Sequence, residues 1–156
     1  MRIKIKKIYW AILTIAVTSL VYCLWLFLRP VKIIAVHKDK NFSHVLVNHF
    51  PVTDQGKLVW WRDNRKMLKI RYGIPNLASD GNFNVTFWLF GEGYMEEEKY
   101  DRLCFNDMNI KKNCIEKNKA FSVSKGRNGG VHFMVYDGIY WKSENGDWVK
   151  KKFSER

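Results

Sequence analysis

The strongest constraint in this chain is an uncharged run of 21 residues, 8–28. As a helix it would span roughly 31 Å, the hydrocarbon thickness of a bilayer. Unpaired backbone groups are costly in lipid, so a spanning segment must be helical. Ile, Leu, Val, Ala and Phe dominate the run, and Thr14, Thr18 and Ser19 can bond back along the helix. Tyr9 and Trp10 mark one end and Tyr22 and Trp25 approach the other, as amphipathic rings prefer the headgroup region. A cleaved signal peptide would have a shorter apolar region and a small-residue cleavage site. Here Leu24, Trp25, Leu26, Phe27 and Leu28 fill the end, and the bulky Tyr22 before Cys23 does not fit a lipoprotein signal. The run therefore reads as a retained anchor in the lipid bilayer.

Orientation follows from charge density. Four of the first seven residues are basic: Arg2, Lys4, Lys6 and Lys7. Arg29, Lys32, Lys38 and Lys40 follow the run more sparsely, offset by Asp39. The positive-inside rule then expects residues 1–7 in the cytoplasm of a bacterial inner-membrane protein, 8–28 across the membrane, and 29–156 in the periplasm. That last segment is long enough for one domain. The net charge of +12 leaves +8 there once the four N-terminal cations are set aside. A basic surface suits nucleic acid, anionic lipid or an acidic protein. Placement outside the cytoplasm argues against nucleic acid. Lipid attraction and an acidic protein partner both remain open at this level.

Cys23 lies in the apolar run, so Cys104 and Cys114 are the two available to pair outside it. An oxidising compartment favours a structural disulfide between them. Their spacing fits neither C-x-x-C redox nor zinc motifs, and no histidine lies nearby.

Along the domain, 31–37 reads as a strand, and 42–50 as a second strand or a short helix. Thr53 or Asp54 can cap a helix running to Tyr72, stopped by Gly73 and Pro75. Its expected inner face holds Leu58, Trp61, Leu68 and Tyr72, interrupted by Arg65. Trp60 points off that face, with Met67 on its side. Together with Arg62, Lys66 and Arg71, this pair forms a candidate partner patch, since Trp and Arg dominate interface energetics. The alternative is a wide core that covers the helix on two sides. Residues 82–90 read as a strand with Val85, Phe87 and Leu89 on one side, and Phe83, Thr86 and Trp88 apart from them. A return strand is expected at 99–105 and a short helical stretch at 108–118. A meander follows: 120–125, 131–136, 139–142 and 148–153. Its hairpin signals are Asp137-Gly138 and Asn145-Gly146. The expected fold is α+β, a mostly antiparallel sheet with one main helix.

No catalytic, cofactor or metal signature emerges. His44 and His49 have the wrong spacing for a zinc helix, and His37 and His132 stand alone. Ser43 lacks the flanks of a nucleophile elbow. Gly91, Gly93 and 126–130 read as turns. Asp101 and Asp107 are a conceivable carboxylate pair that sequence cannot bring together. An envelope hydrolase is thus the weakest class, and a binding or envelope-assembly protein the stronger ones.

The chain as a whole resembles domain-of-unknown-function family 943, small membrane-anchored proteins of enteric bacteria. The resemblance rests on L-R-P-V at 28–31, I-I-A-V-H at 33–37, N-F-S at 41–43 and F-P-V-T-D at 50–54. It continues through Trp60-Trp61, Y-G-I-P at 72–75, S-D-G at 79–81, Y-D-R-L-C-F at 100–105, N-C-I-E-K-N at 113–118 and D-G-I-Y at 137–140. It assigns no catalytic residues. It implies a place near toxin-secretion genes, and so a possible role as an immunity protein whose protein partner is a toxin. Oligomeric state is not legible.

Overall fold

The computed structural model describes residues 2–126, 129–143 and 147–153. It divides into two compact units, residues 1–30 and 31–156.

The first unit is helix α1, Arg2–Leu28. Its stretch Lys6–Leu26 is long and apolar enough to cross a membrane, and none of it is buried against protein. Thr14 and Thr18 donate their hydroxyls to carbonyls three or four residues back (2.8–3.0 Å). Arg29 lies over the Trp25 ring at 3.7 Å. Such a pair suits the boundary between apolar and polar surroundings.

The second unit is built on a seven-stranded sheet. Its strands are β1 (Lys32–Asp39), β2 (Phe42–Asn48), β3 (Phe83–Leu89), β6 (Lys119–Lys125), β7 (Val131–Val135), β8 (Gly138–Lys142) and β9 (Trp148–Lys152). They lie side by side in that order. A separate two-stranded sheet pairs β4 (Arg102–Cys104) with β5 (Cys114–Glu116). Every pairing is antiparallel except β2 with β3. A parallel pair needs a crossover, and helix α2, Asp54–Tyr72, supplies it. The domain is α+β, as expected.

Helix α2 begins and ends where its caps dictate. The Thr53 hydroxyl accepts from the Gly56 amide at 3.1 Å. Gly73 takes the left-handed conformation, and its amide donates to the last-turn carbonyls. That conformation is nearly free for glycine and costly for other residues.

Strand alternation sorts the core into two layers. Val45, Val47, Phe83, Val85, Phe87, Phe121, Val123, Phe133 and Val135 face α2 and meet Trp61 and Leu68. Phe83 therefore shares a side with Val85 and Phe87. The expectation that set it apart fails on parity, since residues i and i+2 of a strand share a face. The opposite sheet face carries Leu46 and Trp88 and is covered by Phe105, Ile115, Tyr94 and Leu103 of the segment 90–118.

That segment departs most from expectation. Residues 99–105 do not return against β3; only Arg102–Cys104 is strand, and it pairs with Cys114–Glu116. Residues 108–118 are not helical but supply β5. Cys104 faces Cys114 directly in this hairpin, with Cα atoms 3.9 Å apart and a disulfide between them. The Met95 amide and carbonyl bond to Cys114 on its other side. A cross-link and backbone pairing on both sides thus order a polar stretch with little periodicity. Asn145-Gly146 lies outside the described residues, as do Arg127 and Asn128 in the expected 126–130 turn.

Candidate functional site

Helix α2 turns two different faces to its surroundings. Trp60 and Met67 pack against the core. The Trp60 ring meets Phe50 at 5.1 Å and Phe87 at 5.5 Å, both nearly edge-on. Arg62, Lys66 and Arg71 are exposed. The five patch residues do not form one exposed surface, because the sheet is wide enough to cover α2 across Trp60 as well as Trp61. Trp60 therefore belongs to the packing layer, and the cations stand apart from it.

Arg62 instead borders a different feature. A groove of about 510 Å³ runs between the first half of α2 and the ends of β7, β8 and β9. Trp61 and Phe133 belong to both groove and core, and Trp148 forms a wall. The Trp148 ring meets Phe133 edge-on at 4.8 Å and leaves 46% of its surface exposed. Arg62, Arg65 and Lys142 supply cations along the rim, and no acidic residue lines the groove among the described residues. Lys142 sits 5.6 Å from the centre of the Trp148 ring. Arg62 donates to its neighbour Asp63 at 2.9 Å, so that carboxylate offsets part of its charge. Arg65 has no ion pair or hydrogen bond among the described residues. An apolar floor with cations at its rim can take an aromatic or aliphatic group that carries carboxylates.

A second cluster lies on the opposite sheet face. His37 of β1 is the register partner of His44 of β2, across a two-residue turn at Lys40-Asn41. The His37 ring is sandwiched in polar and aromatic contacts. Nδ1 lies 2.8 and 3.0 Å from the two Asp107 oxygens, and Nε2 lies 2.7 Å from the Tyr94 hydroxyl. Phe105 stacks on it at 3.8 Å between ring centres. Trp88 donates its indole N–H to His44 Nδ1 at 3.1 Å. Burial lowers the His44 pKa, and the neighbouring His37 adds to the effect; Asp39 and Asp107 oppose it. Burial raises that of Tyr94, with Asp107 contributing.

Sequence reading treats His37 as isolated. The turn at Lys40-Asn41 and strand alternation would have placed it opposite His44, but nothing local brings Asp107, 70 residues away. Asp101 does not join Asp107 in a carboxylate pair; it takes Lys117 as its ion-pair partner. His132 lies on the far strands, away from His37. Among the described residues, no three His, Cys, Asp or Glu side chains gather closely enough to hold a metal ion.

No curated protein and no solved structure matches the chain. The family model described as "Enterobacterial putative membrane protein (DUF943)" matches residues 2–152, nearly the whole chain. With one membrane-length helix at its N-terminus and a disulfide-bonded α+β domain after it, the chain belongs to that family, domain-of-unknown-function family 943.

Proposed function

We propose that this is a non-catalytic, single-pass membrane protein whose domain binds an acidic protein partner in the groove between α2 and β7–β9. The observation that carries the reading is the pairing of an aromatic floor, Trp61, Phe133 and Trp148, with the rim cations Arg62, Arg65 and Lys142. Lipid headgroups would be drawn to the same cations, but a recessed apolar floor favours a side chain over a flat headgroup layer. His37 is enclosed by Phe105, Tyr94 and Asp107, an arrangement suited to holding structure in place.

The domain lies in the periplasm in this reading, with the N-terminus in the cytoplasm. The Cys104–Cys114 disulfide supports that side, since such bonds persist in oxidising compartments. Maleimide labelling of intact cells and spheroplasts, with and without reductant, tests it. Cysteines 104 and 114 that label in the cytoplasm without reductant would reverse the orientation.

The binding claim is tested with the full chain in nanodiscs and an Asp/Glu-rich peptide bearing one Trp. Saturable binding should weaken about tenfold or more in the Arg65→Glu, Lys142→Glu double variant, the loss expected when two charge contacts reverse. Equal binding by wild type and variant, or equal binding of a Lys-rich peptide, sinks the groove. The immunity role is one form of this reading, with a toxin as the acidic partner; an envelope-assembly role is the other. Protection of toxin-challenged cells by the wild type, lost in the double variant, selects the first.

A further inference from the structure

One corner of the domain carries exposed apolar side chains on a fixed base. Val52 in the loop before α2, Tyr136 in the β7–β8 turn and Phe153 after β9 leave 81%, 94% and 49% of their surfaces exposed. One cluster of bonds ties their three segments together. Lys150 holds Asp54 of α2 at 2.8 Å and Asp137 of the turn at 2.7 Å. The Tyr140 hydroxyl donates to Asp54, and the Phe153 amide donates to the Asp137 carbonyl at 3.1 Å. Single exposed apolar side chains are ordinary, but a group of them rimmed by cations marks a binding surface.

The rim here is positive. Both carboxylates of the cluster engage Lys150. Lys32, Lys151 and Lys152 are exposed and have no ion pair among the described residues; Asp137 acts on Lys152 only through space.

Chain connectivity decides what this corner faces. Helix α1 ends at Leu28 and β1 begins at Lys32, so residues 29–31 are the whole link. Three extended residues reach about 11 Å at most, so Lys32 stays close to any bilayer that α1 spans, at whatever angle. Asn48 is the register partner of Lys32, and residues 49–53 lead from it to Asp54. The Asp54–Lys150 bond then brings β9 to the same part of the domain. Strand directions agree. From β1 to β9 the sheet takes five antiparallel steps and one parallel step, so β9 finishes at the end where β1 starts. Ile70 is 87% exposed but lies near the other end of α2, about 24 Å along the axis from Asp54.

We propose that this corner seats on an anionic phospholipid surface, with Val52, Tyr136 and Phe153 entering the headgroup layer and Lys32, Lys151 and Lys152 facing its phosphates. An amphipathic ring such as tyrosine favours that layer. Each lysine close to an anionic surface strengthens the attraction about fivefold. Side chains that stand out at a turn and a strand end suit a lipid layer, as a recess suits a partner's side chain. The inference rests on α1 spanning the bilayer and not on the groove.

The test uses the full chain in nanodiscs of phosphatidylcholine with about one-third phosphatidylglycerol and a trace of lipid bearing a gadolinium chelate on its headgroup. Amides of residues 52, 136 and 153 should relax about fivefold or more faster than that of Ile70. The Lys151→Glu, Lys152→Glu double variant changes exposed side chains alone, and should reduce that excess severalfold. Omitting phosphatidylglycerol should do the same to the wild type. Corner amides that relax no faster than Ile70, or an excess that survives either change, overturn the lipid contact. Corner amides that answer to an Asp/Glu-rich peptide and not to lipid give the surface to a protein instead, which also overturns it. Amides of residues 12–24 serve as reference, since a spanning helix shields them from a water-soluble relaxation agent. Failure there removes the anchor as well as the contact, whereas failure at the corner alone leaves the anchor standing.

Discussion

Asp54 and Lys150, 96 residues apart, meet with Oδ2 and Nζ 2.8 Å from each other, which ties the first turn of α2 to the last strand. Asp137 adds a second carboxylate to Lys150 at 2.7 Å, and the Tyr140 hydroxyl donates to Asp54 at 3.2 Å. Bonds from Asp137 and Asp54 raise the pKa of Lys150 above its ordinary 10.5, and the bond from Lys150 lowers that of Asp137 below its ordinary 3.8. The Lys150 contribution is whole below about pH 10.5 and is lost as pH rises past its raised value. The Asp137 contribution is whole above about pH 4 and is lost as pH falls through its lowered value. Lys150→Met should therefore speed amide exchange in β9 severalfold at neutral pH, and the difference from wild type should shrink outside that window.

Trp60→Ala should cost about 2–4 kcal/mol, because the ring fills the space between Phe50 and Phe87. Arg65→Glu should change stability by less than about 0.5 kcal/mol, since the guanidinium is exposed and unpaired among the described residues. Urea unfolding measures both. The contrast separates the residue that packs α2 from a residue exposed at the groove rim.

Gly138→Ala should cost about 1–3 kcal/mol. A Cβ there would lie 2.5 Å from the Lys151 carbonyl oxygen, and backbone on a paired strand cannot swing aside as a side-chain tip can. The loss should show as fraying of β8 against β9 in exchange experiments, with β1 and β2 protected as before.

Replacing both Cys104 and Cys114 by serine should cost about 3 kcal/mol in the chain-entropy model for so short a loop. The loss should concentrate in 94–116. A chain that loses protection in β3 and β6 to the same degree would show that the hairpin supports the whole domain.

Sequence-level reading works here wherever the signal is local. Thr53 and Gly73 bound α2 by chemistry within one turn, so the end of the helix is legible to the residue and its start to the choice between Thr53 and Asp54. Asp137-Gly138 marks a tight connection for the same reason. The 90–118 segment defeats it, because Cys104–Cys114, Met95–Cys114 and Asp107–His37 order that stretch and no periodicity announces them. Trp60 misleads differently. A helical wheel gives direction but not the width of the sheet beneath, and seven strands cover more of α2 than a narrow stripe. The groove shows both limits: Arg62 stands out in the sequence as a candidate cation, while Arg65 reads as a flaw in an apolar face, and Lys142 and Trp148 arrive from strands some 80 residues on.

Strand β9 closes one side of the seven-stranded sheet, and Lys150, Lys151 and Lys152 run along it. Asp54 and Asp137 engage the first of these, while the other two carry no neutralising partner among the described residues. A membrane anchor confines its cargo to two dimensions, where neighbours meet far more often than in free solution. An open strand edge is then at its greatest risk of joining another copy, and repeated lysines repel such a match. The lysines repeated along β9 would repel a second such edge brought alongside it.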